Sequence, residues 1–299
     1  MATTTSLTTT YTGKEAGGYI RAAFMANETL QGITVKENIE YKQVVRKLVN
    51  TVTFANATCD FDPTSTVTLT ERILTLEKFQ IARQLCKKDF LADWEAKSEQ
   101  NGELHQSLVD ALIGNILAGA AANNETLIWT GVNATAGEYD GFGTLFAADA
   151  TVINVSTPVA IDATNVDDEI NRLILAAPYA VKSAVEKPTI YIASNVWEAL
   201  MMNQAAAGNG WYAYAGPEVP KLFLGYKIHV CPGMPSSHMV MAQASNLWFG
   251  TNTLSQWNEV KVLDMADLDA SDNVRFKASF FAGVQYGFGN EITTYGASF

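Results

Sequence analysis

Two β-rich runs joined by a turn constrain this chain more than any other feature. VNTVTFANATCDF, residues 49–61, leads into Asp62-Pro63, and TSTVTLTERILTLEKFQIARQL follows over 64–85. Val67, Leu69, Glu71 and Ile73 alternate, and Thr, Val and Ile dominate both runs. The spacing predicts a long hairpin between about Val44 and Leu85, with Pro63 near its tip. A two-stranded ribbon is only marginally stable alone in water. Its apolar residues therefore need a surface that the ribbon itself cannot supply.

The composition points the same way. Charged residues make up 17% of the 299-residue chain, against roughly 25% in an ordinary soluble domain. Less of the exterior can then be solvated by charge, so other subunits are expected to cover part of it. The length permits one large domain or two smaller ones. The net charge is −11, with −3 over residues 1–130 and −8 over 131–299. That balance argues against a protein that binds nucleic acid by neutralising phosphates. Three sparse cysteines, Cys59, Cys86 and Cys231, stand in a sequence that opens without a secretory leader, so free thiols made in a reducing cytoplasm are expected. No apolar run approaches the ~18–20 residues that span a membrane.

Along the chain, MATTTSLTTTYTGKEAGG at 1–18 has no apolar period and is expected to be a mobile arm. From Tyr19 to about Val45 the apolar residues are scattered, as in an extended segment that lies on something else. After Asn101-Gly102, Leu104, Leu108, Leu112 and Ile116 recur every four residues, with Val109, Ile113 and Leu117 beside them. This predicts a helix from Glu103 to about Ala122. Residues 126–160 read as strands and turns, with a glycine pair at Gly141 and Gly143. A second helix is expected after Asn165 as N-cap, with Ile170, Leu173, Ile174 and Ala177 as its buried stripe and Pro178 at its end. PTIYIAS reads as a buried strand followed by a helix carrying Trp197. The remainder is mostly strand, closing with NVRFKASFFAGVQYGF and NEITTYG as a pair.

A search for chemistry gives no constellation. There is no Gly-x-Ser-x-Gly elbow and no Ser-x-x-Lys. Of the three histidines, His105 reads as a surface or packing residue at the start of the long helix. His229, Cys231 and His238 have no common zinc spacing and no evident fourth ligand. Asp264, Asp267, Asp269 and Asp272 lack the Gly and terminal Glu of a calcium loop and read as a solvated turn. Gly141-Phe-Gly143 and Gly208-Asn-Gly210 are turns and not phosphate loops. No catalytic, cofactor-binding or metal-ligating residue is assigned, and no cofactor is expected.

The order of elements is more telling. A loose arm leads to a long unsupported hairpin, then to a long helix near ETLIWTG and the turn YDGFGT. PTIYIASNVWEALM, GYKIHVCPGMP, NLWFGT and NVRFKASFFAGVQYGFGNEITTYG follow. This order resembles the major capsid proteins of tailed double-stranded-DNA bacteriophages, whose α+β fold (HK-ninety-seven type) is shared with encapsulins. The resemblance implies an N-terminal arm at 1–43 and an extended β-hairpin loop at 44–88. It implies a peripheral domain from 89–162 and 251–299 with its spine helix at 103–122, and an axial α/β domain at 163–250. It also implies a virion shell protein, made in the bacterial host cytoplasm, that forms hexamers and pentamers of itself around DNA without reading its sequence. A portal and separate scaffolding or decoration proteins are the other partners implied, and no membrane is involved. Some relatives begin with a cleaved scaffolding extension for which this sequence has no room. Others crosslink through Lys and Asn side chains, a pair not assignable here. Two alternatives have different requirements: an encapsulin-like compartment without DNA, and a β-rich enzyme or sugar-binding module using scattered residues such as Trp197, Trp211 and Asp264.

Overall fold

The computed structural model describes residues 9–12, 27–51, 53, 54, 56, 59, 66–86, 106–207, 221–252, 259–266 and 271–296. The expected arm at 1–18 falls largely outside them, as do the hairpin tip around Pro63, His105, Gly208, Gly210, Trp211, Asp267 and Asp269. Chain order begins with β1 (Thr9–Thr12), α1 (Glu28–Gly32), β2 (Thr34–Lys36), β3 (Lys42–Thr51), β4 (Thr66–Thr75) and β5 (Glu77–Cys86). Then come α2 (Gln106–Thr130), α3 (Phe142–Ala148), β6 (Ile153–Asn154), α4 (Val166–Ala176), α5 (Tyr179–Ser183), β7 (Thr189–Ala193) and α6 (Ser194–Ala206). The chain closes with β8 (Leu222–Phe223), β9 (Tyr226–Cys231), β10 (Met239–Ala242), β11 (Leu247–Thr251), β12 (Glu259–Asp264), β13 (Asn273–Tyr286) and β14 (Thr293–Tyr295).

The hairpin is present, but its second run divides. β3 and β4 pair antiparallel from Lys42↔Thr75 to Thr51↔Thr66. At Leu76 the chain leaves the ribbon, and β5 pairs instead with β13, from Glu77↔Ala282 to Cys86↔Asn273. Residues Val274–Ser279 also pair with β12, so β13 is the central strand of a large sheet. β11 continues along it, and β1 and β2 complete the order β1-β12-β13-β11-β2. Val274, Phe276 and Ala278 are buried while Arg275 and Lys277 are exposed, the period of two that a half-covered strand requires.

The second sheet has the order β6-β14-β10-β7-β9-β8. β7 is buried at all five residues and runs parallel to β9. Ile170, Leu173, Ile174 and Ala177 of the α4 region are buried, as their spacing predicts. The expected cap differs: Asn165 makes no cap bond to the helix, and its Oδ1 accepts from the Asp162 amide at 2.9 Å. NEITTYG does not pair with the preceding run, because β14 crosses to this second sheet and joins β10 and β6.

Two further expectations are corrected. The long helix continues to Thr130, eight residues beyond Ala122. Its buried face runs Ile113, Leu117, Ala121, then the polar pair Asn124 and Glu125, then Ile128 and Trp129; the polar pair hides the continuation from a hydrophobicity pattern. The glycine pair in YDGFGT opens α3 instead of joining strands. Gly141 accepts no side chain because a Cβ there would lie 2.6 Å from the Leu127 carbonyl.

Candidate assembly surface

The ribbon is fixed at one end, and farther out the side chains of Val67, Leu69 and Phe54 are exposed. At its base, Leu74 and Leu76 pack with Ile39 and Trp248 in a small apolar cluster. The Leu76 amide donates to the Tyr41 carbonyl at 3.0 Å, and Gln285 Nε2 donates to the Ile73 carbonyl at 3.1 Å. Gly283 of β13 lets the sheet approach so closely that a Cβ there would strike the Thr75 carbonyl. Arg72 completes the anchor. Its guanidinium pairs with Asp149 and lies 4.3 Å over the Tyr286 ring. The Tyr286 hydroxyl donates to Asp149 at 2.7 Å, and Thr151 donates twice to its other oxygen. Burial opposes ionisation of Asp149, but the bonds from Tyr286, Thr151 and Arg72 outweigh it and hold the carboxyl well below the usual carboxylate range.

Beyond this anchor apolar side chains meet water. Exposure is 0% at Leu74, 47% at Val44 and Ile73, 53% at Leu69, 62% at Val67 and 96% at Phe54. Val44 stands opposite Ile73 and Arg46 opposite Glu71 in register, and Leu69 and Val67 follow on the same side of β4. Opposed residues share one face of a ribbon, so that face is an apolar stripe interrupted by the Arg46–Glu71 ion pair at 2.8 Å. Scattered exposed apolar residues are ordinary; a contiguous apolar stripe on a two-stranded element is the kind of surface that marks an interaction site.

A second feature ties the N-terminal segment to the body. Thr29 is fully buried and donates from its backbone and hydroxyl to Glu125. Trp129 Nε1 donates to the Thr29 hydroxyl oxygen at 3.1 Å, and Tyr191 donates to the Gly32 carbonyl at 2.6 Å. Burial pushes the Glu125 carboxyl above its ordinary range, against the opposing pull of the Thr29 and Gly233 bonds.

The residues weighed for chemistry sit in packing roles. His229 Nε2 donates to the Glu28 carbonyl at 2.7 Å, with Gly32 against its ring, and burial lowers its basicity. Burial pushes the Cys231 thiol well up, away from thiolate. His238 Nδ1 is 2.9 Å from the Ser236 carbonyl. Cys59 and Cys86 are free thiols. Asp264 is buried and accepts from the Ala266 amide at 3.0 Å, so it is not part of a solvated turn. Trp197 lies on α6 beside Lys221, in the second sheet's layer, whereas Asp264 ends β12 of the first. Among the described residues, no group of three His, Cys, Asp or Glu side chains is placed to hold a metal. No helix among them is long and apolar enough to cross a membrane. The Arg72–Asp149–Tyr286 anchor and the Thr29–Glu125–Trp129 chain were not legible in the sequence, because each joins residues 77 to 137 positions apart or buries polar groups in apolar runs.

A ribbon carried on a sheet, a long helix and a mixed second sheet make up a fold shared with solved phage capsid structures. The capsid of a native GTA particle superposes with a TM-score of 0.61 at 15% identity, over 91% of this chain and 89% of that one. Mycobacterium phage Cain gives 0.59 at 14%, over 90% and 89%. The satellite phage P4 procapsid, which includes the size determination protein, gives 0.55 at 11%, over 93% and 97%. No family model matches the sequence, and no curated protein does. At these identities the likeness is one of fold.

Proposed function

We propose that this chain is the major shell subunit of a tailed-phage head, a structural and not a catalytic protein. Copies assemble into hexamers and pentamers of an icosahedral shell that encloses double-stranded DNA, so its place is the virion after synthesis in the host cytoplasm. The carrying observation is the ribbon: fixed at Arg72, Leu74 and Leu76, it presents an apolar stripe that rises in exposure toward Phe54. The fold shared with phage capsids supports this reading. The net charge of −11 supports a container that does not grip packed DNA.

Within this reading, 1–43 acts as the N-terminal arm and 44–88 as the extended loop, whose return strand β5 re-enters the sheet. Residues 89–162 and 251–299 form the peripheral domain and 163–250 the axial domain. A portal, and separate scaffolding or decoration proteins, are its other partners. Electron microscopy of the purified chain tests the proposal, with large closed particles expected. A stable monomer of 32.4 kDa at high concentration contradicts it. Particles formed in the host that hold protein cargo and no DNA would shift the reading to an encapsulin-like compartment.

A further inference from the structure

A pocket of about 440 Å³ opens between β5, the second half of α2 and the loop at 133–139. Small-molecule clefts span roughly 300–1,000 Å³, so the size suits a ligand bound by a single chain, whether or not copies assemble. Its floor is aromatic: the Phe79 ring lies 5.9 Å from Tyr139 and 5.8 Å from Phe280, each pair tilted. Phe79 and Phe280 are half-buried, whereas Tyr139 is buried and braces the wall. The Tyr139 hydroxyl donates to Asn124 Oδ1 at 2.9 Å. Asn124 lines the pocket at 3% exposure, and its Nδ2 has no hydrogen-bond partner among the described residues. A buried donor left unpaired costs free energy, so the wall is complete only when something accepts from it.

The lining selects the chemistry of the ligand. Gln80, Asn123 and Asn133 add side-chain amides around the rings, and Thr135 adds a hydroxyl. Among the described lining residues, the carboxylates of Glu77 and Glu138 outnumber the cation of Lys78. A phosphate, sulfate or carboxylate calls for the opposite balance, with Arg or Lys in excess. Amides present donors and acceptors together, and adjacent hydroxyls answer them because each hydroxyl both donates and accepts. A pyranose also has an apolar C–H face, which lies well on the electron-rich face of an aromatic ring. An alkylammonium would suit the rings and carboxylates, but it brings no acceptor for Asn124 Nδ2. The loop is set without a ligand: the Val132 amide donates to Glu138 Oε2 at 3.0 Å, and the Asn133 amide to Asp140 Oδ1 at 2.9 Å. The Thr135 amide closes a turn on the Val132 carbonyl at 2.9 Å. A loop already ordered loses little on binding. We propose that this pocket binds a pyranose ring of a neutral saccharide, stacked on Phe79 and Phe280 and hydrogen-bonded by the surrounding amides.

Saturation-transfer difference NMR on the purified full-length chain tests the site. The probes are the methyl pyranosides of glucose, galactose, mannose and N-acetylglucosamine, with maltose and cellobiose. Saturation is expected to reach the ring C–H protons of at least one probe. Phe79→Leu keeps an apolar side chain but removes the ring. Ala136→Trp adds bulk at a lining position that is exposed on the loop. Each variant should weaken binding of that probe at least tenfold, with circular dichroism and the urea midpoint close to wild type. Should Phe79→Leu unfold the subunit, Ala136→Trp decides alone. Transfer to no probe overturns the inference, and so does transfer that persists undiminished in folded Ala136→Trp. Spermidine is the cationic control: transfer to spermidine and to none of the sugars would assign the rings and carboxylates to an ammonium ligand and overturn the sugar site. A chain that binds a probe at this pocket but forms no particles removes the shell reading and leaves the site standing. Well-formed particles from a chain that binds no probe do the reverse.

Discussion

β7 and the β3–β4 ribbon are both β-structure, yet they bury their side chains in opposite ways. All five residues of β7 are buried, between β10 and β9 and beneath α6. Along the ribbon, the odd positions of β4 from Val67 to Ile73 are all exposed. The first element completes its contacts within one chain and so contributes to folding. The second leaves apolar area facing water, whose covering would contribute roughly 25 cal/mol per Å² of apolar surface. Stability and assembly are thereby divided between separate regions, which makes the division open to mutation.

The largest effect is expected in the second sheet. Ile192→Ala should lower subunit stability by about 3 kcal/mol, as deletion of a fully buried aliphatic side chain does. Urea denaturation of the unassembled chain measures it. A shift below about 0.5 kcal/mol would show that the strand does not carry the core.

Next in size is the ribbon stripe. Val67→Ser with Leu69→Ser should leave the urea midpoint of the subunit within about 0.5 kcal/mol of wild type. Assembly should weaken by on the order of 2 kcal/mol per contact, an upper value because ordering costs intrude. Sedimentation should then show small oligomers. Unfolding of the double variant would place these residues in the subunit's own core.

The anchor between the two regions comes third. Arg72→Ala leaves Asp149 with its tyrosine and threonine donors but no cation, and a loss of about 1–2 kcal/mol is expected. Asp149→Asn tests the pH dependence. The folded carboxyl lies below its unfolded value of about 3.9. Its contribution is therefore present above that value and lost as pH falls through the window beneath it. The variant should be less stable at pH 7, and part of the acid-induced loss seen in wild type below about pH 4 should vanish. An unchanged acid limb would show that the anchor is not ionic.

The smallest effect concerns Glu125, where the sign reverses. Its folded value is raised by burial, so the native state holds its proton longer than the unfolded chain does. Stability from this group is present below the unfolded value, about 4.3, and declines as pH rises toward the folded value. Glu125→Gln should remove that decline, seen as a flatter midpoint-against-pH curve above about pH 4.3. A curve unchanged in slope would mean that the carboxylate is fully compensated.

The same contrast explains what the sequence disclosed. Period-two alternation at Val67, Leu69 and Ile73 announced the ribbon, and continuous burial announced β7, because both are local patterns of side-chain polarity. The stripe of α4 was legible for the same reason. The break at Leu76 was not, since both sides of it are β-forming and only the pairing partner changes, from Lys42 to Ala282. The final stretch of α2 was hidden by Asn124 and Glu125, buried polar residues whose partners Tyr139 and Thr29 are remote in sequence. The crossing of β14 into the second sheet is likewise a matter of tertiary pairing. The exposed face itself was foreseen only as a surplus of apolar residues without a partner.

Hydrogen exchange on unassembled subunits and on assembled particles tests the division most directly. Amides of β7 should be equally protected in both. Amides of β3 and β4 beyond Ile73 should exchange rapidly in the subunit and become protected in the particle, because coverage of the stripe suppresses local opening. Ribbon amides that exchange alike in both states, or protection that rises only in β7, would contradict a ribbon completed by its neighbour.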